Sequence, residues 1–154
     1  MSQTSTDRIE KEIELNAPIT RVWRAITDHK EFGTWFRVDL DSPFVVGKKT
    51  RGKITYPGYE HLTFEIAVEA METERLFSYR WKPTASDPNR DTANDPATLV
   101  EFKLEANGAK TRLSVVESGF ETLPAQLREE CFRRNDGGWT AQVKNIAEHV
   151  TTKA

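Results

Sequence analysis

The first patterned stretch of the chain alternates. Ile9, Lys11, Ile13 and Leu15 fall on one side, and Arg8, Glu10, Glu12 and Glu14 on the other. A period of two predicts a half-buried strand, with Lys11 the odd member of its inner face. In "APITRVWRAIT" the period changes. Ile19, Val22, Trp23 and Ile26 stand at i, i+3, i+4 and i+7, which predicts a helix with one apolar face. Pro18 suits its first turn, where a missing N–H costs nothing. Asp28 followed by Glu31 resembles a capping box and predicts a second short helix carrying Phe32, Trp35 and Phe36.

From there to about residue 118 the pattern is strand after strand. Gly52, Ile54 and Tyr56 alternate with Arg51, Lys53 and Thr55, and Leu62, Phe64, Ile66, Val68 and Ala70 with Thr63, Glu65 and Glu69. Phe77, Tyr79 and Trp81 share one face of the next strand, Val100, Phe102 and Leu104 one face of another, and Leu113, Val115 and Glu117 one face of the last. Apolar-in, polar-out alternation predicts an antiparallel sheet with one wet face. The polar segment 82–98 joins two of these strands and is long enough to be functional or mobile.

The last third returns to a helical period, in two stripes. Leu123, Leu127 and Cys131 form one, and Trp139, Val143, Ile146 and Val150 the other. The eight residues from Cys131 to Trp139 drift by about 80° on an ideal helix, and Gly137 and Gly138 lie in the gap. Glycine inside a helix costs about 1 kcal/mol relative to alanine. The pattern therefore predicts a short helix near 123–134, a break at 135–138, and a closing helix from about 137 to 152. Trp139, directly after the break, is expected to wall or lid one end of whatever space the helix covers.

Composition narrows the class. The 154 residues suit one domain, expected over 8–152 behind a disordered tail at 1–7. With 22 basic and 24 acidic residues the formal charge is −2, without the basic excess of a nucleic-acid binder. No apolar run approaches the roughly 18 residues of a membrane span, so membrane insertion is not expected. The N-terminus lacks the apolar core of a signal peptide, and the one cysteine, Cys131, excludes an internal disulfide. A reducing, cytoplasmic setting follows as the expectation.

The order of elements is a strand, two short helices, about six further antiparallel strands and a long final helix. That helix is the only element able to cover the sheet, and a curved sheet around one helix leaves a hollow. The arrangement resembles the START-like (SRPBCC) helix-grip superfamily, an α+β fold. The segments "APITRVWRAIT", "TFEIAVEAMETERLFSYRW", "TLVEFKLEANGAKTRLSVVESGF" and "NDGGWTAQVKNI" look like the branch named after the activator of the heat-shock protein 90 ATPase. The resemblance covers about residues 8–152. It implies the fold but leaves function open, because the superfamily includes lipid carriers, hormone receptors, aromatase/cyclases and co-chaperones.

Metal chemistry is not expected. His29, His61 and His149 lie in no ligand-like spacing with one another or with Cys131. Neither a nucleophile-elbow nor a phosphate-loop motif is present, and no cofactor is implied. Glu117 is the polar residue of most interest, since its register points it into the hollow. A buried carboxylate is costly unless a cation or hydrogen-bond donors answer it, and Lys11 is one available partner. Trp35, Tyr56, Phe64, Tyr79, Trp81, Phe102, Trp139 and Val143 complete a set that could line a pocket. The leading expectation is a protein binding a small hydrophobic or aromatic molecule between sheet and helix. The second is a cyclase/aromatase- or hydrolase-type enzyme using Glu117 as acid/base with Tyr56, Tyr79 or His61. The third is a co-chaperone-like domain binding a chaperone ATPase. It ranks last because the chain as read holds one domain, without the N-terminal module of the eukaryotic activator. A homodimer is compatible with all three.

Overall fold

The alternation at the N-terminus does build an edge strand, and every later strand lies antiparallel to its neighbour. The computed structural model describes residues 8–86 and 91–152. The expected tail at 1–7 and part of the 82–98 segment lie outside the described residues. In chain order the elements are β1 (Arg8–Leu15), α1 (Ile19–Thr27), α2 (His29–Phe36), β2 (Val38–Leu40), β3 (Lys49–Ile54), β4 (Thr63–Glu72), β5 (Leu76–Trp81), β6 (Thr98–Asn107), β7 (Lys110–Ser118) and α3 (Ala125–Thr152). They form one seven-stranded sheet ordered β1-β7-β6-β5-β4-β3-β2.

One lateral row across the inner face positions the site. Ile9 pairs with Glu117, Glu117 with Val100, Val100 with Tyr79, and Tyr79 with Val68. All five are buried. Residues opposite one another in a ladder project to the same side, so Glu117 shares its row with four apolar or aromatic neighbours. The aromatic core continues through Phe32, Phe77 and Phe102, each with no exposed surface.

The helices are fixed where the sequence signals them. Asp28 caps α2, accepting from the backbone N–H of Lys30 at 2.9 Å and of Glu31 at 3.2 Å. Glu31 does not return to the cap. It accepts from Arg21 at 2.7 Å and Arg24 at 2.8 Å and meets Nε2 of His149 at 2.8 Å, tying the C-terminal end of α3 to α1 and α2. Burial pushes the Glu31 pKa up, but the hydrogen bonds from His149, Arg21 and Arg24 outweigh it and hold the pKa below its ordinary value.

The expected break at 135–138 is not there. A single helix runs from Ala125 to Thr152, and Gly137 and Gly138 are ordinary helical residues on its exposed side. A Cβ added at either would meet nothing within 4 Å, so close backbone approach does not explain them either. The two apolar stripes are joined by Asn135, which stands four residues from both Cys131 and Trp139 and is half-buried. A row at i+4 drifts by only about 40° per step, so Cys131, Asn135, Trp139 and Val143 make one slowly turning inner face. Asp136, inside the expected break, pairs with Lys11 of β1 at 2.9 Å.

Removing either glycine should therefore help the helix. Gly137→Ala and Gly138→Ala are each expected to raise stability by about 0.5–1 kcal/mol in chemical denaturation. A loss at either position would restore the idea of a junction.

Candidate functional site

Glu117 lies near the end of β7, facing α3, with no exposed surface. Its Oε2 accepts from the Trp81 indole N–H at 2.7 Å, the Thr98 hydroxyl at 2.5 Å and the Asn135 amide at 3.1 Å. Its Oε1 accepts from the Trp139 indole N–H at 2.8 Å and from the same Asn135 amide at 3.0 Å. The sheet supplies two donors, since Trp81 and Thr98 face one another across the β5–β6 ladder. The helix supplies the other two from one i, i+4 pair.

All four donors are neutral, and the indole N–H groups can only donate. Lys11, the expected cationic partner, is engaged with Asp136. A buried carboxylate normally demands a cation or full hydrogen bonding. Here it has the second, and its oxygens are filled from both layers of the fold. Hydrogen bonds to a charged group contribute about 1.5–3 kcal/mol each, so this cluster ties helix to sheet.

Trp139 is 3% exposed, tilted against Trp81 at 5.7 Å between ring centroids and edge-on to Phe102 at 5.7 Å. It is a packed core residue rather than a lid, so its truncation belongs with core tryptophans at about 3–5 kcal/mol. Tyr79 is fully buried among Phe32, Phe77, Trp81 and Phe102. Its hydroxyl has no hydrogen-bond partner among the described residues. Burial, then the charge of Glu117, pushes the Tyr79 pKa well above the ordinary value.

The open space lies to one side of this cluster. β4 runs on to Thr63, whereas its ladder with β5 ends at the Ala67–Arg80 pair. Residues 63–66 of β4 thus pair with β3 alone, and the connection after β5 stands off from them. The resulting groove has a volume of about 460 Å³, and its apolar wall includes Phe36, Ile54, Phe64, Trp81 and Pro83, with Asn135 contributed by α3. The same connection is braced by Arg134 of α3, which donates to the Pro83 carbonyl at 2.7 Å.

The predicted set divides accordingly. Trp81 and Phe64 line the groove, with Glu117 one residue behind the Trp81 and Asn135 wall. Tyr79, Phe102, Trp139 and Val143 belong to the packed layer beneath. Trp35 is buried and spends its indole N–H on the Ala25 carbonyl at 2.8 Å. Tyr56 is 52% exposed and packs against Tyr59 on the surface, and His61 is exposed as well. Asn135, Thr98, Phe36 and Ile54 were not anticipated. Asn135 was legible as the single polar residue that would keep the two helical stripes continuous.

An antiparallel sheet gripping one long C-terminal helix, with space at one end of the grip, defines the helix-grip class. Within it, the chain belongs to the family described as "Activator of Hsp90 ATPase homolog 1-like protein", which matches residues 16–151. Solved structures agree on the fold. A protein of Mesorhizobium loti superposes with a TM-score of 0.76 at 20% identity, covering 96% of this chain and 98% of that one. The Aha1 dimer of Colwellia psychrerythraea gives 0.67 at 15% identity, covering 93% and 95%. A protein from the dynemicin biosynthetic locus gives 0.73 at 24% identity, covering 95% of this chain, which spans only 48% of that protein. No functionally curated protein matches in sequence. Among the described residues, no helix is long and apolar enough to cross a membrane, and no group of metal-ligating side chains is assembled.

Two predictions follow from the geometry. In Glu117→Gln one oxygen becomes an NH₂ facing donors, so the variant is expected to lose about 2–3 kcal/mol in denaturant titrations; an unchanged midpoint would mean the cluster does not tie the layers. For Tyr79, the unfolded phenol releases its proton above pH ~10 while the folded one keeps it. Stability should therefore fall as pH rises past that point. Tyr79→Phe, which removes an unpartnered buried hydroxyl, is expected to gain about 1 kcal/mol at neutral pH and to flatten the alkaline decline. A loss at neutral pH would show that the hydroxyl has a partner in solution.

Proposed function

We propose that the chain binds a small hydrophobic or aromatic molecule in the groove between the free end of β4, the connection after β5, and α3. The observation that carries this reading is the groove itself: an apolar space of about 460 Å³ that includes an indole face and a side-chain amide. Ligand sites have this character, mostly apolar with a few placed polar groups. The donors that hold Trp81 and Asn135 to Glu117 fix that wall in advance, which lowers the ordering cost of binding. The single thiol of Cys131, buried and unpaired, fits a cytoplasmic protein.

An acid/base enzyme is less well supported. Glu117 has no exposed surface, and each of its oxygens already accepts at least two hydrogen bonds. A general acid/base must come within hydrogen-bond reach of its substrate. Tyr56 and His61 lie at the exposed surface.

Thermal-shift screening of neutral and charged aromatics tests the proposal. At about 100 times its dissociation constant a true ligand adds roughly 2.7 kcal/mol, a melting shift of about 5–10 °C for a domain of this size. Ala85 is exposed in the groove wall, so Ala85→Trp is expected to fold normally and abolish the shift by filling the space. If no apolar compound moves the melt, or if Ala85→Trp leaves the shift intact, the groove is not the site.

A further inference from the structure

The charged residues around the groove are not balanced. The chain as a whole carries a formal charge of −2, yet the lining holds Lys49, Arg80, Lys82 and Arg134 against the single carboxylate of Glu65. Two of these five are neutralised locally. Arg80 meets Glu69 at 3.1 Å, and Glu65 pairs with Arg51. The other three have no carboxylate partner among the described residues. Lys82 donates only to the backbone carbonyls of Thr92 and Ala93, at 2.7 and 3.2 Å. Arg134 donates to the Pro83 carbonyl and, at 3.6 Å, to the Cys131 sulfur. Asp91 and Asp95 lie on the same connection but not in the lining, and they accept from the Ala93 backbone N–H and the Thr84 hydroxyl.

Resting on the binding function proposed above, we propose that the ligand is an amphipathic acid: an aromatic or aliphatic body carrying one anionic group. The body lies against Phe36, Ile54, Phe64 and Trp81, and the anion faces the cations of the rim. Two physical points favour this over a neutral ligand. Cations without a carboxylate partner outnumber the one buried carboxylate, Glu117, behind the wall, and an apolar groove focuses the resulting positive potential. Lys82 and Arg134 are also held by carbonyls that leave further N–H groups to donate, since an ammonium has three and a guanidinium five. A neutral hydrocarbon would leave those charges unanswered, whereas an anion converts them into charge-assisted hydrogen bonds.

Two fluorescent probes with one ring system separate the possibilities: 8-anilinonaphthalene-1-sulfonate, which is anionic, and N-phenyl-1-naphthylamine, which is neutral. Both should bind the wild type and neither the Ala85→Trp variant. The anionic probe is expected to bind about tenfold more tightly at low ionic strength, as one good charge-assisted contact supplies. Raising salt should shrink that advantage. Lys82→Gln and Arg134→Gln should each reduce it. Because Arg134 braces Pro83 and Lys82 the Thr92 and Ala93 carbonyls, Lys49→Gln is a third variant, expected to reduce the advantage while leaving the neutral probe unchanged; the Lys49 side chain makes no hydrogen bond or ion pair among the described residues. A naphthoate should displace the anionic probe better than its methyl ester. Equal affinity for the two probes in the groove would overturn the acid inference and leave the binding function standing. Failure of both probes to bind the groove would overturn the binding function itself.

Discussion

The structure turns on one buried carboxylate answered by neutral donors. Glu117 sits in an apolar row of the sheet, out of contact with water, and four side chains from three separate parts of the chain converge on it. Left unpaired, such a group would cost several kcal/mol. The fold meets that demand only when α3 lies in one register, with Asn135 and Trp139 over the end of β7. The far end of α3 is held differently. There Glu31 gathers Arg21, Arg24 and His149, an arrangement of opposite charges that tolerates partial exposure. The C-terminal end of the helix is thus held through the Glu31 carboxylate, and its middle by donors in the interior.

This constraint shapes the groove. Trp81 and Asn135 serve at once as donors to Glu117 and as groove wall. Their outer faces are presented to the space because their polar atoms are committed behind them. The space exists because β5 stops short of β4, leaving part of β4 without a partner on that side. The proposed binding does not need Glu117 to touch a ligand. The carboxylate holds Trp81 and Asn135, two residues of the groove wall.

Much of this was legible in the sequence, and the failures have physical causes. Period-two alternation locates six of the seven strands, missing only β2, whose three residues are too few to show a period, and it places Glu117 on the inner face because a strand's register is strict. The helical stripes locate α3, but the drift of about 80° between them reads as an interruption when the polar Asn135 is left out of the face. Asn135 is polar because it faces a carboxylate, and that is visible only when helix and sheet are brought together. The two glycines strengthened the wrong reading, since their cost is real but is offset here by packing on either side. Trp139 and Tyr79 read from the sequence as pocket-lining aromatics, each with one polar atom. That of Trp139 is used inside the core, and that of Tyr79 has no partner among the described residues. The groove could not be read from periodicity, because it depends on where one strand ends relative to its neighbour.

The central claim is that one carboxylate holds Trp81 and Trp139 together through their indole N–H groups. Nuclear magnetic resonance of protein labelled with ¹⁵N at tryptophan addresses it directly, because each of the four indoles gives its own N–H signal. Trp35 serves as an internal control, since it donates to a backbone carbonyl remote from Glu117 in the chain. The account predicts that the Trp81 and Trp139 indole protons resonate downfield and exchange slowly with solvent. In Glu117→Gln both should move and exchange faster, while Trp35 stays where it was. Trp81 and Trp139 signals that are unaffected by the substitution would contradict it.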